Sequence, residues 1–249
     1  MALITSTVRP LIAKYQNYAP LSQDEVQVLE GAFASTRTVE LGADMAVAGT
    51  SPDYSTLLVS GFAGRYNITK QGVRQITAIH VPGDFVDLHC FLLKPMDHSI
   101  VALTTCEIAM MPHRIVGEIF DTQPKIARLF WLNTLIDGAT HRKWSVALGS
   151  LQAHQHLAHF ICELYLRMEQ IGRTQDGSFH IPITQLVLGE CLGLSSVHTN
   201  RTVQKLRSEK LIRWERDLIT IIDWDRLVEV AEFDPTYLRI PKSRIAVDA

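Results

Sequence analysis

Apolar and polar positions alternate in short runs over the first part of the chain and change period near Pro112. Tyr54–Gly61 is an apolar run closed by glycine. Gly64–Gly72 and Val73–Val81 alternate, and Pro82, Gly83 and Asp84 then break the pattern. Ile100–Leu103 and Cys106–Met111 follow. Short β-rich runs at this spacing, punctuated by Gly and Pro, predict a closed or rolled antiparallel sheet, and residues up to about Val116 read as strands and turns.

Beyond Pro112 the pattern is helical. Pro124 suits a first helical turn, and Lys125–Leu148 contains no breaker except Gly138. Apolar residues surround this helix, so it needs more than one partner surface. Leu129, Leu132, Ile136, Ala139 and Val146 fit a seam of three- and four-residue steps, interrupted by Lys143, that would suit a second subunit. A second helix is expected over about Leu151–Ile171. Leu157, Phe160, Ile161, Leu164, Met168 and Ile171 form its apolar face, and Gly172 stops it. His156, His159 and Glu163 read as its solvated face, and Arg173–Gly177 as a polar turn.

The next stretch carries the chemistry. Thr184 can cap a short helix over Gln185–Leu192. Gly189 is small enough for a second helix to approach closely, and Gly193 supplies a tight turn. Ser195 then caps a helix running to about Ser208. Thr199, Val203 and Leu206 repeat at four and three and face inward. Ser196, Val197, His198, Asn200, Arg201, Gln204 and Lys205 lie elsewhere on that helix or at its start. A short polar face with one arginine near a helix start suits major-groove readout. Arg201 can donate two bonds to guanine, Asn200 can bond adenine or phosphate, and Val197 can meet a thymine methyl. Leu211–Trp214, a turn at Glu215–Asp217, and Leu218–Ile222 read as a hairpin wing.

Charge sharpens this reading. The whole chain is nearly neutral, at −2. Between Ser196 and Arg216, however, six basic residues (Arg201, Lys205, Arg207, Lys210, Arg213, Arg216) face only Glu209 and Glu215. Phosphate binding depends on such a local excess. The rest of the composition is ordinary for a globular protein. The N-terminus lacks the apolar core of a signal peptide, and no run of about 20 apolar residues occurs, so a cytoplasmic location is expected. Cys90, Cys106, Cys162 and Cys191 are too widely spaced for a zinc or iron–sulfur motif and read as buried thiols. Cys90, beside His89, is the one candidate for redox sensing.

The segment Leu192-Gly-Leu-Ser-Ser-Val-His-Thr-Asn-Arg-Thr-Val-Gln-Lys-Leu-Arg207 resembles the Crp/Fnr superfamily of bacterial transcription regulators, as do the tail Ala231–Leu238 and the segments Val59–Tyr66, Arg74–Phe85 and Leu103–Ala109. The resemblance implies an α+β chain: a cyclic-nucleotide-binding-like antiparallel β-roll over residues 1–123, a long dimerisation helix over 124–149, and a winged helix-turn-helix over 150–249. It also implies a homodimer on a near-palindromic operator in double-stranded DNA, RNA polymerase as a further partner, room for a small-molecule effector, and no catalytic activity. On the same basis the DNA-binding set is Thr184, Ser195, Ser196, Val197, His198, Asn200, Arg201, Gln204 and Lys205. The dimer-helix set is Leu129, Leu132, Ile136 and Ala139.

Departures from the family lie at the sensing end, where the effector-pocket candidates are Asp87, Leu88, His89, His98 and Ser99. Members that bind cyclic AMP carry Gly-Glu and Arg-Ser where this chain has Asp87-Leu88 and His98-Ser99. Leucine cannot hold a ribose hydroxyl, and a histidine beside Asp97 is a poor anion site. Cyclic-AMP control is therefore not expected. Valine at 197 replaces a common glutamate in the reading helix, and Thr199 replaces an aliphatic residue. A cupin-like metal enzyme is the competing class, because Gly83, Asp87 and His89 imitate part of such a motif. Phe91 stands where its second histidine belongs, so neither metal nor cofactor is expected. The other alternative is a regulator that needs no effector.

Overall fold

The computed structural model describes residues 7–240. Its contacts divide the chain into two compact units, residues 1–68 with 77–138, and residues 69–76 with 139–249. The long helix expected over 124–149 contributes its first half to one unit and its second half to the other.

The N-terminal unit is a β-roll with helices. Helices α1 (Arg9–Gln16) and α2 (Gln23–Gly31) precede the strands. This corrects the reading of the whole segment before Val116 as strands and turns. The cause is local in α2, where Ser22 and Glu25 form a reciprocal capping box. In α1 a proline in the first turn and the buried pair Leu11 and Tyr15 set the helix. Strands β1 (Ser35–Val39), β7 (Cys106–Pro112) and β3 (Tyr54–Ser60) form one antiparallel sheet. Strands β2 (Asp44–Ala46), β6 (Ser99–Ala102), β4 (Ala63–Ile68) and β5 (Arg74–His80) form the second. Val39, Leu58, Val86, Ile100 and Ile108 make one core. A second core gathers Leu11, Tyr15, Phe33, Phe85, Leu129 and Phe130, with the Phe85 and Phe130 rings edge to face at 5.4 Å.

Helix α3 (His113–Thr122) leads into α4 (Pro124–Ser150). A hydrogen bond to Asn133 and an ion pair to Asp137 tie α4 to the N-terminal unit. Lys14 Nζ donates to Asp84 Oδ1 (2.7 Å) and Asn133 Oδ1 (3.0 Å), and Arg65 donates to Asp137 Oδ2 (2.8 Å). Leu129 and Ile136 are buried in the protomer, at 4% and 8% exposure, whereas Leu132 and Ala139 are half-buried. The solvent-facing apolar side chains of this half are Trp131 and Leu135, at 64% and 55%.

The C-terminal unit is built around α5 (Ala153–Gln170), which is buried along most of its length. A short hairpin, β8 (Thr174–Gln175) and β9 (Ser178–His180), occupies the segment expected as a polar turn. Helices α6 (Gln185–Leu192) and α7 (Ser196–Ser208) follow. The wing strands β10 (Ile212–Glu215) and β11 (Leu218–Ile221) then extend the hairpin into a four-stranded sheet. Helix α8 (Trp224–Ala231) and a 3-10 turn over Pro235–Leu238 pack back on α5.

His156, His159 and Glu163 are not the solvated face that the sequence suggests; all three are buried. Glu163 accepts from Arg167 (3.0 Å), Trp144 Nε1 (3.1 Å) and the Tyr237 hydroxyl (2.7 Å). The Tyr237 ring stacks on His159. The tail residues cover the polar side of α5, so that side becomes a second, hydrogen-bonded core. Among the described residues, no helix is long and apolar enough to cross a membrane.

Candidate functional site

Helices α6 and α7 form a tight pair because two positions lack a side chain. A Cβ on Gly189 would lie 2.6 Å from the Leu194 carbonyl oxygen and 3.1 Å from Thr199 Oγ1. Gly193 turns the chain in the left-handed region, φ +67°. Thr184 Oγ1 accepts from the Val187 amide (3.2 Å) and Ser195 Oγ from the His198 amide (3.4 Å), which starts each helix. Thr199, Val203 and Leu206 are buried. Thr199 costs little there, because its hydroxyl donates to the Ser195 carbonyl at 3.0 Å.

Thr202 is also buried, and the other positions on α7 face solvent. Ser195, Ser196, Val197, His198, Asn200, Arg201, Gln204 and Lys205 are all exposed, as is Thr184. Arg201, Lys205, His198 and His154 line a polar groove of about 400 Å³ at the base of the helix. Arg213 and Arg216 are exposed on the wing, whose tip places Arg216 at φ +56°. A helix whose exposed polar face carries Arg201 and Lys205 and no acid can dock in a major groove.

The sensing end has a different chemistry. A 3-10 turn, Leu88–Phe91, carries Leu88 and His89, and the chain just before β6 carries Asp97 and His98. Leu88 faces an apolar cavity of about 380 Å³, lined also by Phe91, Val116, Phe120, Phe130 and Trp131. The Ser99 hydroxyl accepts from the Ala48 amide (2.9 Å) and is thus committed to the fold. Asp87 Oδ1 accepts from the Thr56 amide (2.5 Å), while Oδ2 is buried without a partner.

The histidines are brought together, with the His89 and His98 ring centroids 5.0 Å apart. Burial, and then the nearby Arg65 charge, push the His89 pKa down to about 4 and lower that of His98. Both are neutral at pH 7. Cys90 is buried, and burial pushes its thiol up to about 12, which removes the thiolate that redox sensing needs.

Burial also pushes Asp87 up to about 7, against the lowering effect of the Thr56 amide. A raised folded-state pKa stabilises the protein fully below the unfolded value, and that contribution is lost as pH rises through the folded value. Asp87→Asn is therefore expected to gain stability relative to the parent between pH 5 and pH 8, by at most about 3 kcal/mol at about 1.4 kcal/mol per pKa unit over the interval from pH 5 to the folded value. Urea midpoints of both proteins at the two pH values check this. An equal difference at both refutes it.

Comparison with known proteins agrees with this division. A Crp-like helix-turn-helix domain family matches residues 155–230, and a cyclic nucleotide-binding domain family matches residues 36–123. The fumarate and nitrate reduction regulatory protein of Vibrio cholerae is 24% identical over 211 residues, 85% of this chain and 84% of that protein. The anaerobic regulatory protein of Haemophilus influenzae is 23% identical over 222 residues, 89% and 86% of the two chains. Among solved structures, FixK2 from Bradyrhizobium japonicum superimposes with a TM-score of 0.70 at 19% identity, over 79% of this chain and 96% of its own.

Proposed function

Because the chain belongs to the Crp/Fnr family of DNA-binding transcription regulators, we propose that it acts as a homodimer on a near-palindromic operator, without cyclic AMP. In this reading residues 150–249 bind DNA, 124–149 hold the dimer together, and 1–123 form the sensing part. RNA polymerase is the machinery on which the bound dimer acts. The observation that carries the DNA reading is the exposed face of α7, with Arg201 and Asn200 over a buried seam of Thr199, Val203 and Leu206. Arg201 takes guanine in a bidentate contact, and Val197 leaves the neighbouring cytosine unread.

Dimerisation is supported by Trp131 and Leu135, large apolar side chains left open to solvent on α4. Leu132 and Ala139 flank them at three- and four-residue spacing. Independence of cyclic AMP is supported by the sensing residues. Leu88 offers no acceptor for a ribose hydroxyl, Ser99 is committed to Ala48, and the Arg65 guanidinium is paired with Asp137.

Selection of bound sequences from a randomised duplex pool, with no nucleotide added, tests the proposal as a whole. The expected product is a two-fold-symmetric motif with a guanine at a fixed place in each half-site. Recovery of a motif only when cyclic AMP is present, or of a single unrepeated half-site, refutes it.

A further inference from the structure

Among the described residues, one group of His, Cys, Asp and Glu side chains has the donor spacing of a metal centre. It lies in the β-roll, away from the DNA-reading helix in sequence: His89, Asp97 and His98. One donor atom from each can be chosen so that all three lie within 4.8 Å of one another. We propose that these three side chains bind a divalent transition-metal ion of zinc-like chemistry. The sequence gives no hint of it, because the histidines are nine positions apart in no recognised motif. The 3-10 turn over Leu88–Phe91 and the entry to β6 bring them together.

The state of the donor atoms points to a ligand. His98 is 6% exposed. Its ring sits 2.7 Å from Asp97 Oδ1 through Nδ1. In a neutral ring that contact places the proton on Nδ1 and leaves Nε2 as a bare lone pair. That Nε2 is buried and has no hydrogen-bond partner, and neither has Nε2 of His89. Two buried imidazole nitrogens without partners, in adjacent rings, are costly unless something satisfies both.

The donor set selects the class of ion. Two imidazoles and one carboxylate suit zinc and its borderline neighbours, whereas calcium and magnesium take mainly oxygen. Asp97 is open to solvent, with its side chain 70% exposed, and so gives an entry route. It supplies the third donor, giving up its contact with His98 Nδ1 when the ion binds. Three protein donors leave a coordination position for water or an exogenous ligand. The neighbouring positive charge of Arg65 is offset by its ion pair with Asp137 at 2.8 Å.

Titration of the metal-stripped full chain tests the site. Zn²⁺ calorimetry is expected to give about one ion per chain with micromolar or tighter affinity. Co²⁺ is expected to develop the visible bands of a low-symmetry nitrogen–oxygen site. His89→Gln, His98→Gln and Asp97→Asn should each weaken binding by roughly 10–100-fold. The chain has ten histidines, so binding alone does not locate the ion. Unchanged Zn²⁺ affinity in His89→Gln, at a half-exposed position that tolerates substitution, overturns the proposal even if His98→Gln fails to fold. Absence of saturable Zn²⁺ binding to the parent also overturns it. Neither readout involves DNA, so the result is independent of the operator.

Discussion

Glu163→Ala is expected to destabilise the C-terminal unit by about 3–5 kcal/mol, the cost of leaving a buried charge without its partner. Glu163 has no exposed surface, and its two oxygens take bonds from Arg167, Trp144 and Tyr237. Removing it leaves the indole N–H without its acceptor and takes one partner each from the Arg167 guanidinium and the Tyr237 hydroxyl. Tyr237→Phe removes one donor and leaves the charge pair intact, so its cost should be nearer 1 kcal/mol. Urea unfolding of the full chain, followed through Trp144 fluorescence, separates the two variants. A shift for Glu163→Ala no larger than that for Tyr237→Phe would show that the network adds no stability beyond its separate bonds.

Arg201→Ala carries the second large effect, on binding and not on folding. Loss of a bidentate guanine contact should cost about 1–3 kcal/mol per half-site and relax the sequence preference at that one position. Lys205, exposed one turn further along the helix, provides the contrast. Lys205→Ala should weaken binding by a similar factor on every sequence and reduce the salt slope by about one phosphate contact. Gel-shift titrations of both variants on the selected operator and on a scrambled duplex, at two salt concentrations, distinguish these cases. An Arg201→Ala protein that loses affinity equally on both duplexes would make Arg201 a phosphate contact.

The helix-turn-helix is legible from the chain because its determinants are local. Thr184, Gly193 and Ser195 each act within four residues of their own position and Gly189 within ten, through a cap, a turn or a close approach. The strands β3 to β7 are legible for the same reason, since glycine and proline punctuate each run. The polar side of α5 is not legible in this way. Its cover comes from residues about 74 to 78 positions away, and periodicity reports that a face is polar without saying what lies against it. The phase of α4 is hard to read for a different reason. A helix apolar all round gives no phase, and only packing decides that Leu129 and Ile136 belong to the protomer while Trp131 and Leu135 do not. Helix α2 is signalled by Ser22 and Glu25, a capping pair that stands just ahead of the strand-rich run.

The buried and exposed positions of α7 interleave without overlapping. Thr199, Val203 and Leu206 fix the helix on its support, and Ser196, Val197, Asn200, Arg201 and Gln204 take no part in that packing. If this exposed face reads the operator as proposed, operator preference and folding are written in separate letters of one short segment. Such a segment can drift toward a new target by single exposed substitutions, each neutral for the scaffold. Regulators and their promoters can then diverge together without passing through an unfolded intermediate sequence.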